Sequence, residues 1–98
     1  MDYAKVIEAI ESVKHPAINA SLTTLGILQD IDIEDEKLKA TLVWPFDLVP
    51  PQIKQIIVNS IQNAIKPFNL EFEYNERLMN EEEKEKFLEL EKKYWKGF

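Results

Sequence analysis

The chain has 98 residues, 45% of them hydrophobic, and 18 Asp and Glu against 12 Lys and Arg give it a net charge of −6. This length suits one domain with one modest core, which we take to span residues 1–98. An acidic chain without a basic stripe is poorly matched to phosphates, so we expect it to bind neither nucleic acid nor an anionic membrane surface.

The residue types that most catalytic and metal sites require are scarce. The chain has no cysteine, two glycines and one histidine, His15. The absence of cysteine removes disulfides, thiolate ligands and thiol nucleophiles, and one histidine argues against a zinc or iron site built by this chain alone. We therefore expect no metal, no cofactor and no enzymatic activity, and a protein-binding role is favoured.

The sequence also shows no sign of membrane insertion or export. No apolar run approaches the roughly 18–20 residues needed to span a bilayer. The first residues are charged and amphipathic and lack the apolar core of a signal peptide. The expected location is cytoplasmic.

The first predicted element is a helix over residues 2–14, with Asp2 as its N-cap. We expect it to end at about His15, because the residue before Pro16 is pushed away from helical geometry. Residues 16–25 are predicted to form an irregular connector. The predicted apolar face of the helix consists of Tyr3, Val6, Ile7, Ile10 and Val13.

Two strands follow, and both show alternating apolar and polar residues. The first runs from Ile27 to Glu34 after Gly26, and the second runs from Lys37 to Trp44. In the first strand the apolar positions are Ile27, Ile31 and Ile33. The two runs are separated only by Asp35-Glu36, which predicts a β-hairpin with a two-residue loop.

A second helix and a third strand come next. The predicted helical face has Ile53, Ile56, Ile57, Ile61, Ala64 and Ile65, and Pro67 ends the pattern. Alternation from Leu70 to Tyr74 then predicts a third strand. A strand, crossover helix and strand in one sheet implies a right-handed connection between parallel strands.

The last element is a charged helix capped by Asn80, with glutamates in its first turn and lysines near its end before Gly97. These charges complement the helix dipole. Its apolar face, Phe87, Leu88, Leu90, Tyr94 and Trp95, is narrow, so the helix is either a lid on the sheet or an oligomer contact. A homodimer is one alternative.

The predicted fold is α/β (α+β), a single α-β-β-α-β-α domain with a three-stranded mixed sheet packed by helices. The turn within residues 42–57, between the second strand and the second helix, is the expected site. A turn of this kind lies beside the free N–H groups of a helix N-terminus, which favour an anion or a polarised partner.

The order of short motifs resembles the metal–sulfur cluster assembly domain of the SufT/PaaD type, which also forms the N-terminal domain of Mrp-type iron–sulfur carrier ATPases. The matching segments cover almost the whole chain. They are Pro16, Leu25-Gly26-Ile27-Leu28 followed by Asp30-Ile31, Pro45, and Met79-Asn80-Glu81-Glu82-Glu83.

The resemblance implies a role in iron–sulfur cluster assembly or delivery, which the family performs with a reactive cysteine in this turn. Counting from Pro45, that cysteine falls on Asp47, and a carboxylate cannot form the soft thiolate–iron bond. We therefore expect an adaptor that holds no cluster alone and contacts iron–sulfur carrier or client proteins. The alternatives are an accessory subunit of a multi-component enzyme, as in the phenylacetate-oxygenase branch, and an interaction module unrelated to iron–sulfur chemistry.

The candidate partner-binding residues are Trp44, Phe46, Asp47 and His15. Trp44 continues the apolar alternation and is expected in the core, whereas Phe46 falls outside it and is expected to be exposed. Asp47 is either an oxygen ligand or partner contact, or an N-cap or first-turn charge of the second helix. His15 is either a proton carrier or lone metal ligand, or a helix C-terminal residue that complements the dipole. An enzyme with a carboxylate site at Asp47 is disfavoured, because no second acid, nucleophile or metal set accompanies it in the sequence. The aromatic tail, from Tyr94 to Phe98, either docks on a partner or folds back on the domain, and folding back is favoured.

Overall fold

The computed structural model describes residues 2–96 and confirms the predicted order α-β-β-α-β-α with a three-stranded mixed sheet. The elements are α1 (Tyr3–Glu11), β1 (Leu28–Glu34), β2 (Lys37–Trp44), α2 (Pro51–Ile65), β3 (Glu71–Leu78) and α3 (Glu81–Tyr94). A short 3-10 helix, Lys66–Phe68, follows α2 where Pro67 ends it.

The central strand of the sheet is β2. It pairs antiparallel with β1 and parallel with β3, as the crossover through α2 predicts. The parallel register is continuous from Lys37 opposite Glu71 to Trp44 opposite Leu78. β3 therefore extends four residues beyond the predicted end at Tyr74. Its second half lacks apolar alternation, and its pairing with β2 defines it as a strand.

The β1–β2 hairpin has the predicted two-residue loop. Asp35 and Glu36 have φ angles of 52° and 62°, so both adopt the left-handed conformation of a type I′ turn. Glu34 is paired with Lys37 across this turn. The loop length fixes the register although its residues are not the Asn-Gly pair that this turn favours.

A β-bulge interrupts β1 and changes which residues share the inner face. The register shifts between Gln29 and Asp32, and Asp30 between them has a φ of 55°. The extra residue reverses the alternation, so that Leu28 lies opposite Leu42 and Ile33 opposite Leu38. The strand therefore starts one residue later than predicted, at Leu28, although Ile27 is buried as its apolar position indicated.

Helix α1 ends four residues earlier than predicted. The Asp2 carboxylate accepts from the Lys5 N–H at 3.3 Å, which confirms the N-cap, but the last helical residue is Glu11. Lys14 forms an antiparallel β-bridge with Ser21. The N–H of Leu22 donates to the carbonyl of Val13 at 3.0 Å. This pairing with the connector takes the chain out of the helix before the proline does.

The core lies between the sheet, α1, α2 and the connector. The connector is irregular as predicted, but it supplies buried side chains, among them Ile18, Leu22 and Leu25. On α2, Ile56 was expected in the core and is 46% exposed, whereas Val58 is buried. Within residues 2–96, every helix falls short of the length and apolar character that crossing a bilayer requires.

Helix α3 packs on the domain through one narrow face. Phe87 is buried, and Leu90 and Tyr94 pack partly buried against the core. At its start, Asn80 and Glu83 form a reciprocal capping box, which confirms the predicted N-cap. Through this face α3 covers the turn after β2, and the oligomer contact stays a prediction.

Candidate functional site

The turn after β2 brings apolar side chains to the surface. Pro45 is buried, but Phe46 is 41% exposed and Leu48 is 86% exposed. The chain then turns into α2 at Pro50, the N-cap, and Pro51, the first helical residue. Proline suits this position because its fixed φ is compatible with a first helical turn and it has no N–H to satisfy.

A cavity of about 250 Å³ lies beside this turn, and we call it the turn pocket. Its walls come from the connector, the turn, the first half of α2 and the C-terminal half of α3, and they are mainly apolar. The lining residues are His15, Ala17, Ile27, Trp44, Pro45, Phe46, Leu48, Val49, Pro50, Ile53, Ile57, Phe87, Glu91 and Trp95. Three of the four predicted site residues therefore meet here, and Asp47 is not among them.

Trp44 forms the floor of the pocket and is only 3% exposed, which confirms its expected place in the core. Its indole N–H donates to Oε2 of Glu76 at 2.8 Å. The Lys54 ammonium lies 3.6 Å from the same carboxylate oxygen and 5.1 Å from the indole centroid. The hydrogen bond satisfies the N–H donor of the buried indole, and the two contacts together orient the ring.

Phe46 is exposed as expected, and two contacts favour one orientation of its ring. Its ring makes an edge-to-face contact with Phe87 of α3, with centroids 6.5 Å apart. The Lys84 ammonium lies 5.0 Å from the centroid of the Phe46 ring. An exposed aromatic ring held in one position loses little conformational freedom on binding, which suits a partner anchor.

His15 lies in the connector, so the prediction that it complements the dipole at the end of α1 is wrong. Its Nδ1 accepts the N–H of Ala17 at 2.9 Å, and its backbone N–H donates to Ala20 at 3.1 Å. Burial, together with the nearby charge of Lys96, lowers the pKa of His15. The imidazole is therefore a neutral, oriented wall of the pocket near neutral pH.

Asp47 is exposed on the turn outside the pocket lining. The interpretation of Asp47 as a cap of α2 is wrong, because the N-cap is Pro50 and no side chain caps this helix. The N-cap, Pro50, lies three residues after Asp47, and the first turn of α2 contains no acidic residue. Within residues 2–96, no three His, Cys, Asp or Glu side chains cluster as metal ligands would.

Sequence reasoning did not assign Phe87, Leu48 or Glu91 to this site, and it offered Trp95 only as part of the aromatic tail. The signal available was the apolar face of α3, which included Phe87 and Trp95 but did not indicate where the helix docks. The tail does fold back as far as Lys96, since Asn19 donates to the carbonyl of Tyr94 and Lys96 donates to that of Ala17. Gly97 and Phe98, the rest of the predicted tail, lie outside the described residues.

Comparison with known proteins supports the fold. No family model matches the chain, and no curated protein matches it. The crystal structure of a domain of unknown function, DUF59, from Bacillus anthracis superimposes with a TM-score of 0.65 at 17% identity, over 82% of this chain and 80% of that one. This chain therefore has the fold of a DUF59 domain, the family that contains the SufT/PaaD-type domains.

Proposed function

We propose that this chain is a non-catalytic adaptor in iron–sulfur cluster assembly or delivery, which binds a protein partner through the turn pocket. The observation that carries the proposal is the pocket itself. It is an apolar cavity with a fixed, exposed Phe46 on its rim, and it adjoins the turn in which the resemblance locates the reactive cysteine. The DUF59 fold is compatible with this family role.

The residues of the turn favour binding over cluster chemistry. Asp47 occupies the cysteine position, and a carboxylate is a hard oxygen ligand that suits an iron–sulfur cluster poorly. The pocket offers two ionisable side chains, His15 and Glu91, among apolar walls. In the proposed role the cluster is cargo, ligated by the partner while this chain supplies a docking surface.

The chemistry of the pocket defines the partner group that it would accept. Its walls suit an apolar or aromatic side chain, which would displace water from Ile53, Ile57 and the Trp44 ring. Glu91 in the wall and Asp47 on the nearby turn would favour a basic residue beside that anchor. A net charge of −6 would also steer a basic partner surface toward this chain.

The experiment is an anaerobic affinity purification from native extract, with partners identified and iron and sulfide assayed. The test variant is Phe46→Ala with Leu48→Ala, which removes two exposed apolar groups from the pocket rim. The matched control is Leu88→Ala on α3, because Leu88 is 40% exposed and does not line the pocket. We expect the wild type and the control to recover iron–sulfur carrier or client proteins. The test variant should recover at least tenfold less of these proteins.

Three results would contradict the proposal. Recovery of the same iron–sulfur proteins with the double variant would exclude the pocket as their site. Recovery of a metal-free chain with no iron–sulfur partner would contradict a role in iron–sulfur cluster assembly or delivery. Stable stoichiometric recovery with catalytic subunits would indicate the accessory-subunit alternative.

A further inference from the structure

Strand β3 forms an open edge of the sheet. In the part of the chain that the structure describes, it pairs with β2 alone. Every residue of the strand is exposed except Phe72, which is half-buried. Two of the exposed side chains are large and apolar, Tyr74 at 37% and Leu78 at 53%. A strand with these properties can pair with another strand.

The two edges of the sheet differ in a way that matters for pairing. The bulge at Asp30 interrupts β1, and bulges protect edges by twisting them away from an incoming strand. β3 runs for eight residues without a bulge, a proline or a lysine, and its four charged side chains include both signs. The sheet is therefore protected at β1 and open at β3.

The hydrogen bonds to β2 show which backbone groups of β3 point outward. The N–H of Glu71 donates to Glu36 at 3.1 Å, and the N–H of Met79 donates to Trp44 at 2.8 Å. Odd-numbered residues therefore direct their backbone groups toward β2. Because the direction alternates along a strand, the even-numbered residues between them direct their N–H and C=O groups outward.

We propose that a second copy of this chain pairs with this edge, with the two β3 strands antiparallel about a two-fold axis at Asn75. In this register the outward groups of even-numbered residues meet each other, as an antiparallel ladder requires. Phe72 lies opposite Leu78 of the second copy, and Glu73 lies opposite Arg77 of the second copy. The edge is therefore self-complementary in apolar contact. It also brings opposite charges together, although within each chain Arg77 already contacts Glu83. Glu73 likewise already contacts Lys37 and Lys39 within each chain.

Neighbouring registers that pair even-numbered residues with each other satisfy the backbone equally, so the side chains distinguish them. An axis at Glu76 would place the two Glu76 carboxylates directly opposite each other. An axis at Tyr74 would pair Glu71 with Arg77, but it would place the Phe72 ring opposite the Glu76 carboxylate. The Tyr74 axis also has opposite charges and no like charges face to face, and it places Tyr74 opposite Tyr74 of the second copy. The Asn75 axis is preferred because it pairs Leu78, the most exposed apolar side chain of β3, with Phe72 of the second copy.

The resulting dimer has one continuous six-stranded sheet joined by about eight backbone hydrogen bonds. The turn pockets remain outside this interface, since no residue of β3 lines the pocket. The dimer is thus independent of the adaptor proposal, and either can fail without the other.

The first test uses the absence of cysteine, because a single introduced thiol is then the only one in the chain. At the two-fold axis the Asn75 Cα atoms would lie about 4.5 Å apart, which is within disulfide range. With oxidised glutathione as the oxidant, we expect Asn75→Cys to form a disulfide-linked dimer. Glu71→Cys is the matched control, since the two copies of residue 71 would lie at opposite ends of the interface.

The second test measures the association itself by sedimentation equilibrium. We expect the mass to rise from 11.5 kDa toward twice that value with increasing concentration. In the dimer, Glu73→Lys would place a lysine opposite Arg77 at two symmetric positions. This like-charge contact should weaken association by about tenfold. Glu71→Lys is the control, because it makes the same charge change on the same face of β3 but outside the proposed charge pair. Urea denaturation of both variants separates loss of association from loss of the Glu73 contacts with Lys37 and Lys39.

The results decide both the dimer and its register. A mass of 11.5 kDa at all concentrations, with equal cross-linking of the two cysteine variants, would overturn the proposal. Weakening by Glu71→Lys alone would contradict the Asn75 axis and support the axis at Tyr74. A heterologous peptide that bound β3 while the chain stayed monomeric would also overturn it.

Discussion

Arg77 and Glu83 form a bidentate ion pair that joins β3 to α3, with both N–O distances between 2.8 and 2.9 Å. The Nε2 of Gln29 on β1 donates to the same carboxylate at 2.7 Å, and the backbone N–H of Asn80 donates to it at 3.0 Å. One carboxylate therefore links both edge strands of the sheet to the start of the helix that closes the turn pocket.

This network predicts an acid-dependent loss of stability. Hydrogen bonds from Arg77 first, and then from Asn80 and Gln29, lower the pKa of Glu83 from 4.5 to about 2. Because the folded pKa lies below the unfolded one, the stabilisation is present above pH 4.5 and is lost as the pH falls toward 2. We expect Glu83→Gln to lower the free energy of unfolding at pH 7 by about 1 kcal/mol, as urea denaturation would measure.

The control for this prediction is Glu82→Gln, in the same helical turn but exposed. It removes the same charge from the helix N-terminus and should change stability much less. The difference between wild type and Glu83→Gln should shrink as the pH is lowered to 2. Equal effects of the two variants at pH 7 would mean that the helix dipole, and not the Arg77 network, is responsible.

The two tryptophans should report different environments. Trp44 is 3% exposed and Trp95 is 46% exposed. We expect Trp95→Phe, which leaves the buried indole, to give blue-shifted emission that acrylamide quenches weakly. Trp44→Phe should give red-shifted emission that acrylamide quenches efficiently. Similar quenching of the two variants would contradict the burial of Trp44.

Gly26 should resist replacement for conformational reasons. Its φ is +77°, and a Cβ there would meet nothing closer than Gln29 Nε2 at 3.8 Å. The cost of Gly26→Ala is therefore backbone strain without a clash, and we expect a loss of about 1 kcal/mol in urea denaturation. Gly26→Asn is the control, because asparagine tolerates the left-handed region better and should lose less. Equal losses would indicate a steric cause.

His15 should make stability depend on pH in a second range. Its folded pKa lies below the ordinary value of 6.5, because of burial first and then Lys96. The unfolded chain therefore takes up a proton before the folded chain does, and stability falls as the pH drops below about 6.5. We expect the melting temperature of His15→Gln to vary less than that of wild type between pH 7 and pH 5.5. Parallel curves would contradict the inward placement of the imidazole.

The fold was largely predictable where local signals suffice. The bounds of β2 and the two-residue loop followed from alternation, and the end of α2 followed from Pro67. The end of α1 was missed because Lys14 pairs with Ser21, a contact that the proline rule does not contain. The bulge at Asp30 was missed because a left-handed aspartate leaves no clear sequence signal.

The candidate site was predictable in part. Trp44, Phe46 and His15 were expected at one site, and all three line the turn pocket. Asp47 was selected by its alignment with a cysteine and lies outside the lining. The α3 residues were not assigned, because the docking of a helix on a distant turn depends on tertiary contacts such as Phe46 with Phe87.

The central position of β2 also has a kinetic consequence. The hairpin with β1 closes through two residues, so this half of the sheet requires only local contacts. The parallel pairing with β3 requires all of α2 to lie between the partners, and this larger loop costs more entropy before its contacts form. We therefore expect docking of β3 on a preformed hairpin to limit the folding rate.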